Sequence, residues 1–280
     1  MKLGITLAAG CLLVSTPVLA KPCAFDTASL SFEGTPVDQA KCLLRPVAKW
    51  GHISESLAAL PPTLASLLGT DPRVSAKKLA SLAASKGLLA SALTGPVSRA
   101  QGGAADAPNA RYFVIHDTSS PWLGDKAFPQ DIDSNASRFP VSGYLGSNAV
   151  AHAFVGRTGL IRFGHDFSVP WRATKREAKI GLASKGLFLH IENIQPRRRD
   201  PNGGAKNDAV APMPGLSPAQ YDSLAFLYIV ASVRAGQWLI PAYHAALDDG
   251  ISDSHDDPQN FALQDFDRAI GEHLQKLRDN

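Results

Sequence analysis

Charge of one sign is scarce in this sequence. Its 28 lysines and arginines are matched by 25 aspartates and glutamates, leaving a net charge of +3 over 280 residues. That balance excludes the dense basic surface of a nucleic-acid binder, though a mild positive excess suits an anionic polymer such as cell wall. No His-Glu-x-x-His pair occurs, which removes the commonest metalloprotease signature. No internal repeat is evident. Long apolar runs are also missing. The one candidate, Leu3 to Val14, is too short for a confident membrane span.

That short run has the form of an export signal. Lys2 gives it a positive start, and Val18-Leu19-Ala20 offers a peptidase site. Residues 1–20 are therefore read as a signal peptide cleaved after Ala20, with a periplasmic destination. The alternative is a lipid anchor at Cys11, which follows Ala8-Ala9-Gly10 like a lipoprotein cleavage site. Only in that case would the chain meet a membrane, as an outer-membrane lipoprotein. Cysteine is sparse, with three in all. If Cys11 leaves with the signal, Cys23 and Cys42 remain, and in an oxidising compartment they are expected to pair. Neither is assigned to a metal.

What the sequence does have is globular composition, 45% hydrophobic and 19% charged. Residues 21–105 read as a smaller helical region. Val37 to Ala58 carries apolar residues at helical spacing, limited by Pro46. Pro61-Pro62 breaks the pattern before a short turn from Thr63 to Leu68. Ser75 opens an amphipathic stretch through Leu93, stopped by Gly95-Pro96. Gln101 to Pro108 reads as a linker. Residues 106–280 then alternate strands and helices. Arg111 to Ile115, Ala149 to Val155, Leu160 to Phe163 and Gly186 to Ile191 are the strands. Ser217 and Pro218 start a long helix, and another runs from about Leu263 to Leu277. The expected fold class is α/β, a mixed sheet covered by helices.

Several segments together carry a resemblance. They are Tyr112-Phe113-Val114-Ile115-His116-Asp117-Thr118-Ser119-Ser120, His152 through Ile161, and Leu189-His190-Ile191-Glu192-Asn193. Leu216 through Leu227, Ile240-Pro241-Ala242-Tyr243-His244 and His255-Asp256-Asp257-Pro258 complete the set. In this order, over about residues 109–280, they resemble the type 2 N-acetylmuramoyl-L-alanine amidases. That family includes the AmpD-like enzymes and is related to the peptidoglycan recognition proteins. The resemblance implies zinc (Zn2+) held by His116, His244 and Asp257, with Glu192 as general base. It implies peptidoglycan or muropeptide fragments as partners, cut between the muramic acid lactyl group and L-alanine. It says nothing about residues 21–105.

The sequence departs from the family pattern at three places. His255 stands where many members carry an oxyanion-stabilising lysine. An imidazole donor there would be charged only conditionally, with a reference pKa of ~6.5. Arg172, in Trp171-Arg172-Ala173, replaces a frequent histidine and could bind a substrate carboxylate. The gap from His244 to Asp257 is long, which leaves Asp256 and His255 as rivals for the third ligand position. Adjacency to Pro258 favours Asp257. His152 reads as a packing or hydrogen-bonding neighbour, and His165 and His190 as ordinary residues. Asp248, Asp249 and Asp253 read as loop acids, and Arg197-Arg198-Arg199 as solvated surface. The long loop from Trp122 to Gly146 is a candidate wall for a substrate groove. Two other functions compete with the amidase. One is a wall-binding module that does not cut; the other is a zinc peptidase acting on stem peptides.

Overall fold

A computed structural model describes residues 23–102, 107–145, 150–204 and 209–278. The signal-peptide reading of residues 1–20, the Cys11 alternative and the middle of the expected linker lie outside the described residues.

The N-terminal part opens with a two-stranded ribbon, β1 (Phe25–Asp26) and β2 (Ser31–Phe32). Three helices follow: α1 (Pro36–Leu43), α2 (Pro62–Leu67) and α3 (Ala76–Ser85). Thr35 and Asp38 form a capping box at the start of α1, and Pro36 occupies the first turn. The helix stops well short of Ala58. Arg45 precedes Pro46, and a residue before proline disfavours helical backbone. Helix α3 starts at its cap, Ser75, as expected, but ends at Ser85. Gly87 follows with φ of 70°, a left-handed stop that needs no Cβ. Cys23 and Cys42 form a disulfide that ties the chain before the ribbon to α1. Such a bond is what an oxidising compartment permits.

The remaining elements, in chain order, are β3 (Tyr112–Asp117), α4 (Ser142–Leu145), β4 (Ala153–Val155), β5 (Ile161–Phe163), α5 (Lys175–Ile180), β6 (Phe188–Asn193), β7 (Arg198–Arg199), β8 (Ala209–Val210), α6 (Pro218–Ala235), β9 (Ile240–Tyr243), α7 (His244–Leu247) and α8 (Leu263–Leu277). The central sheet has the order β5-β4-β6-β3-β9. Its strands β4, β6, β3 and β9 run parallel, and β5 joins the edge antiparallel. The expected mixed sheet flanked by helices is thus present. Strand β3 lies inside the sheet and is buried along its whole length, which explains its unbroken apolar start.

The two faces of β3 are covered differently. On one, α6 sets Tyr228 edge-on to Phe113 at 5.4 Å, and Tyr228 donates its hydroxyl to the Leu239 carbonyl at 2.8 Å. Helix α8 packs behind, with Phe266 at 5.7 Å from Tyr228. On the other face Tyr112 stacks on Phe188 at 4.9 Å. There the Phe32 backbone N–H donates to the Tyr112 hydroxyl at 2.9 Å, and that hydroxyl donates to Gln39 at 2.9 Å. Burying each such ring contributes roughly 1.5–3 kcal/mol. One apolar core therefore joins the N-terminal part to the sheet. Arg45 also reaches across to Asp249 at 2.6 Å, and the Asn260 N–H donates to the Val47 carbonyl at 3.2 Å. Both contacts steady the loop between α7 and α8. Among the described residues, no helix is long and apolar enough to cross a membrane.

Candidate metal centre

Strand register assembles the site. Across β3 and β6, His116 lies opposite Glu192. Across β3 and β9, Ile115 lies opposite Tyr243, so His244 follows one residue beyond the paired stretch. Three parallel strands thus deliver His116, Glu192 and His244 at their carboxyl ends, where open α/β sheets place ligand sites. The loop between α7 and α8 adds Asp257. It is fixed by the Ala245 N–H on its carbonyl at 2.8 Å and by the Asp117 N–H on its carboxylate at 3.1 Å. Asp117 is held in turn by the buried Arg197 at 2.8 Å and by the Gln259 N–H at 3.1 Å.

His116, His244 and Asp257 converge, and all three are buried. The two Nδ1 atoms lie 2.9 Å apart. Asp257 comes within 3.1 Å of His244 Nδ1 and 3.6 Å of His116 Nδ1. Four-coordinate bonds of about 2.0–2.1 Å place neighbouring donor atoms roughly 3.3 Å apart, so the spacing fits a tetrahedral cation. Two imidazoles and one carboxylate supply three protein donors, a set that leaves a position open. This cluster can therefore hold a divalent metal ion. Asp256 is not in it; its carboxylate accepts from the Gln259 side chain at 2.7 Å.

Glu192 stands beside the cluster, with Oε1 3.9 Å from His116 Nδ1. Its Oε2 is buried without a hydrogen-bond partner. Burial, followed by the nearby Asp257 charge, pushes this carboxyl up to about 8. His116 is held well below the usual imidazole range by burial and by the His244 ring. For His244 burial acts downward, but the Asp257 and Asp248 carboxylates prevail and raise it to about 10. A neutral His116 therefore stands next to a strongly basic His244.

The cluster forms the floor of a cleft of about 470 Å³, whose lining includes Tyr144, Val150, Phe154, Trp171, Arg172 and His255. His255 is 58% exposed, stacks on the His244 ring at 4.4 Å and lies 3.7 Å from Asp257. Arg172 is exposed on the same lining. Tyr144, from the long loop after Trp122, does help to wall the cleft.

Three residues lie elsewhere than the sequence suggested. Asp248 is no loop acid; it is fully buried, 3.2 Å from His244 Nε2. Its signal was the i, i+4 spacing from His244, which puts both on one helical face. His190 is no ordinary histidine; its Nδ1 lies 3.0 Å from His116 Nε2. Here the signal was alternation, since His190 and Glu192 must point to the same face of β6. Arg197 belongs to the interior, bonded to Asp117 and Gln195, Arg198 is half-buried over the Phe128 ring at 5.4 Å, and only Arg199 of the three is exposed. His152 fills the role expected of it. It accepts the His190 N–H at 2.9 Å and has Nε2 at 3.0 Å from the Val169 carbonyl.

No protein-family model, curated protein or solved structure matches this chain.

Proposed function

We propose that this chain is a zinc-dependent N-acetylmuramoyl-L-alanine amidase acting on peptidoglycan or its soluble fragments, with residues 106–280 as the catalytic part. The observation that carries the reading is the buried His116, His244 and Asp257 cluster with the unpaired Glu192 carboxylate oxygen beside it. The ordered segments resembling the type 2 amidases supply the substrate class. The Cys23–Cys42 bond and the signal-like start support export, with the periplasm as the working compartment.

Each residue has its part in the chemistry. His116, His244 and Asp257 would hold the ion. When bound there, zinc supplies Lewis acidity, polarising an amide carbonyl and making water more acidic. Glu192, in the ionised form that a bound cation beside it would favour, accepts the proton of the attacking water and returns it to the departing amine. Water thereby adds to the lactyl carbonyl carbon, the C–N bond breaks, and the products are a carboxylate and the free amino group of L-alanine. His255, at the rim beside His244, donates a hydrogen bond to the oxyanion as it develops. Arg172 binds a carboxylate of the stem peptide.

Purified protein incubated with muropeptides should release stem peptide beginning with intact L-alanine, read by mass. A chelator should stop release, and zinc should restore it. A cut inside the peptide would make the protein a peptidase instead. Tight binding of wall fragments without release at any metal supply would make it a binding module. The same donor set holds iron in other proteins, so metal analysis of the active protein must return zinc.

A further inference from the structure

Both ligand histidines are backed by partners that meet at one turn of the chain, Ala173 to Glu177. Behind His244, Asp248 accepts the backbone N–H groups of Lys175 at 3.1 Å and Arg176 at 2.8 Å. Behind His116 stands His190, and behind His190 stands Glu177, with 3.3 Å between His190 Nε2 and Glu177 Oε2. Glu177 is fully buried. Its Oε2 accepts from the Ala173 N–H at 3.2 Å, the Thr174 N–H at 3.0 Å and the Thr174 hydroxyl at 2.9 Å. Its Oε1 has no partner. Three donors aimed at one oxygen define Glu177 as an acceptor group.

From this arrangement we propose that His190 is a positioning residue for His116, and that Glu177 acts through it to keep the metal-facing nitrogen of His116 unprotonated. The reason is a proton count. His116 Nε2 and His190 Nδ1, 3.0 Å apart, share a single proton. With that proton on His116, its Nδ1 presents a lone pair to His244 and Asp257. His190 then carries its own proton on Nε2, a buried nitrogen that completes no hydrogen bond but lies 3.3 Å from the Glu177 carboxylate, whose charge favours a proton there. With the shared proton on His190 instead, a neutral His190 turns a lone pair toward that carboxylate, acceptor against acceptor in a buried place. Neutral His116 would then carry its proton on Nδ1, which closes the site to a cation. Backbone and ring contacts hold His190 in this orientation, since its N–H donates to His152 and the two rings stack at 5.8 Å. A carboxylate–histidine–ligand arrangement of this kind fixes ring orientation and tautomer at metal sites.

The proposal rests on the metal-binding part of the proposed function and not on the substrate. Its first test needs no substitution. In chelator-treated protein labelled with ¹⁵N-histidine, NMR should show His116 as the Nε2–H tautomer. An Nδ1–H tautomer overturns the proposal. The second test is zinc affinity by chelator competition. His190→Leu should weaken it by about 10–100-fold. His190→Gln, whose side-chain carbonyl can still accept the His116 proton, should recover most of the loss, and Glu177→Gln should fall between. Equal affinity for parent and His190→Leu overturns the proposal while leaving the metal reading intact. A parent that binds no zinc removes both. If His190→Leu fails to fold, the tautomer in the unsubstituted protein decides.

Discussion

On the floor of the cleft His116, His244 and Asp257 are each 3% exposed or less; buried His190 and Asp248 side chains back the two histidines, and the Asp117 backbone N–H holds Asp257. On the rim, His255 keeps 58% of its side chain in solvent, and Arg172 is exposed. The difference separates two kinds of candidate residue. The two floor histidines are set by strand register, and Asp257, though on a loop, is tied to the same network by backbone hydrogen bonds from Ala245 and Asp117. Rim residues sit on loops and owe their position to few contacts, which makes them the part that can change without rebuilding the sheet.

The sharpest way to break this comparison is at the floor. His244→Ala should abolish zinc binding and reduce amide hydrolysis to background, measured by metal analysis and by peptide release. Retained metal in that variant would mean that the ion sits elsewhere. Next comes Glu192→Gln, nearly isosteric. It should lower kcat by about 10²–10⁴ while the protein still binds zinc, since only the proton acceptor is lost. Loss of zinc together with activity would move Glu192 from base to ligand. At the rim, His255→Ala should cost about 10² in kcat, as for one oxyanion donor, and His255→Lys should restore it. Arg172→Ala should raise KM about tenfold with kcat little changed, the mark of lost binding that is equal in ground and transition states. The control is remote from both. Cys42→Ser should lower unfolding stability by about 3 kcal/mol in denaturant titration, because the bond joins residues 19 apart in the chain, yet leave zinc affinity unaltered.

Much of the frame is legible in the sequence. The apolar run ending at His116, the Ser217-Pro218 helix start and the final helix from Leu263 to Leu277 all occupy the places their patterns indicate. These signals are local, resting on side-chain period and capping chemistry. Helix lengths in the N-terminal part are less legible, because backbone rules at Pro46 and Gly87 cut α1 and α3 short of their apolar patterns. Strand β9 stands out as a ligand segment but not as a strand. Four residues, one of them Pro241, give too short a pattern to read.

The chain by itself determined the kinds of side chain available to the site and the order in which they arrive. One histidine closes a strand-like run, another follows the short Ile240 to Tyr243 segment, a glutamate ends a further run, and an acidic pair precedes a proline. Only the tertiary structure decided which of them meet. The register of β3 against β6 and β9 brings His116, Glu192 and His244 into one row. The packing of Ala173 to Glu177 behind both ligand histidines makes Asp248 and His190 their partners. The physical reason is distance along the chain. Glu177 and Asp248 lie 71 residues apart, and they meet because Asp248 accepts the Lys175 and Arg176 N–H groups, contacts that no local pattern encodes.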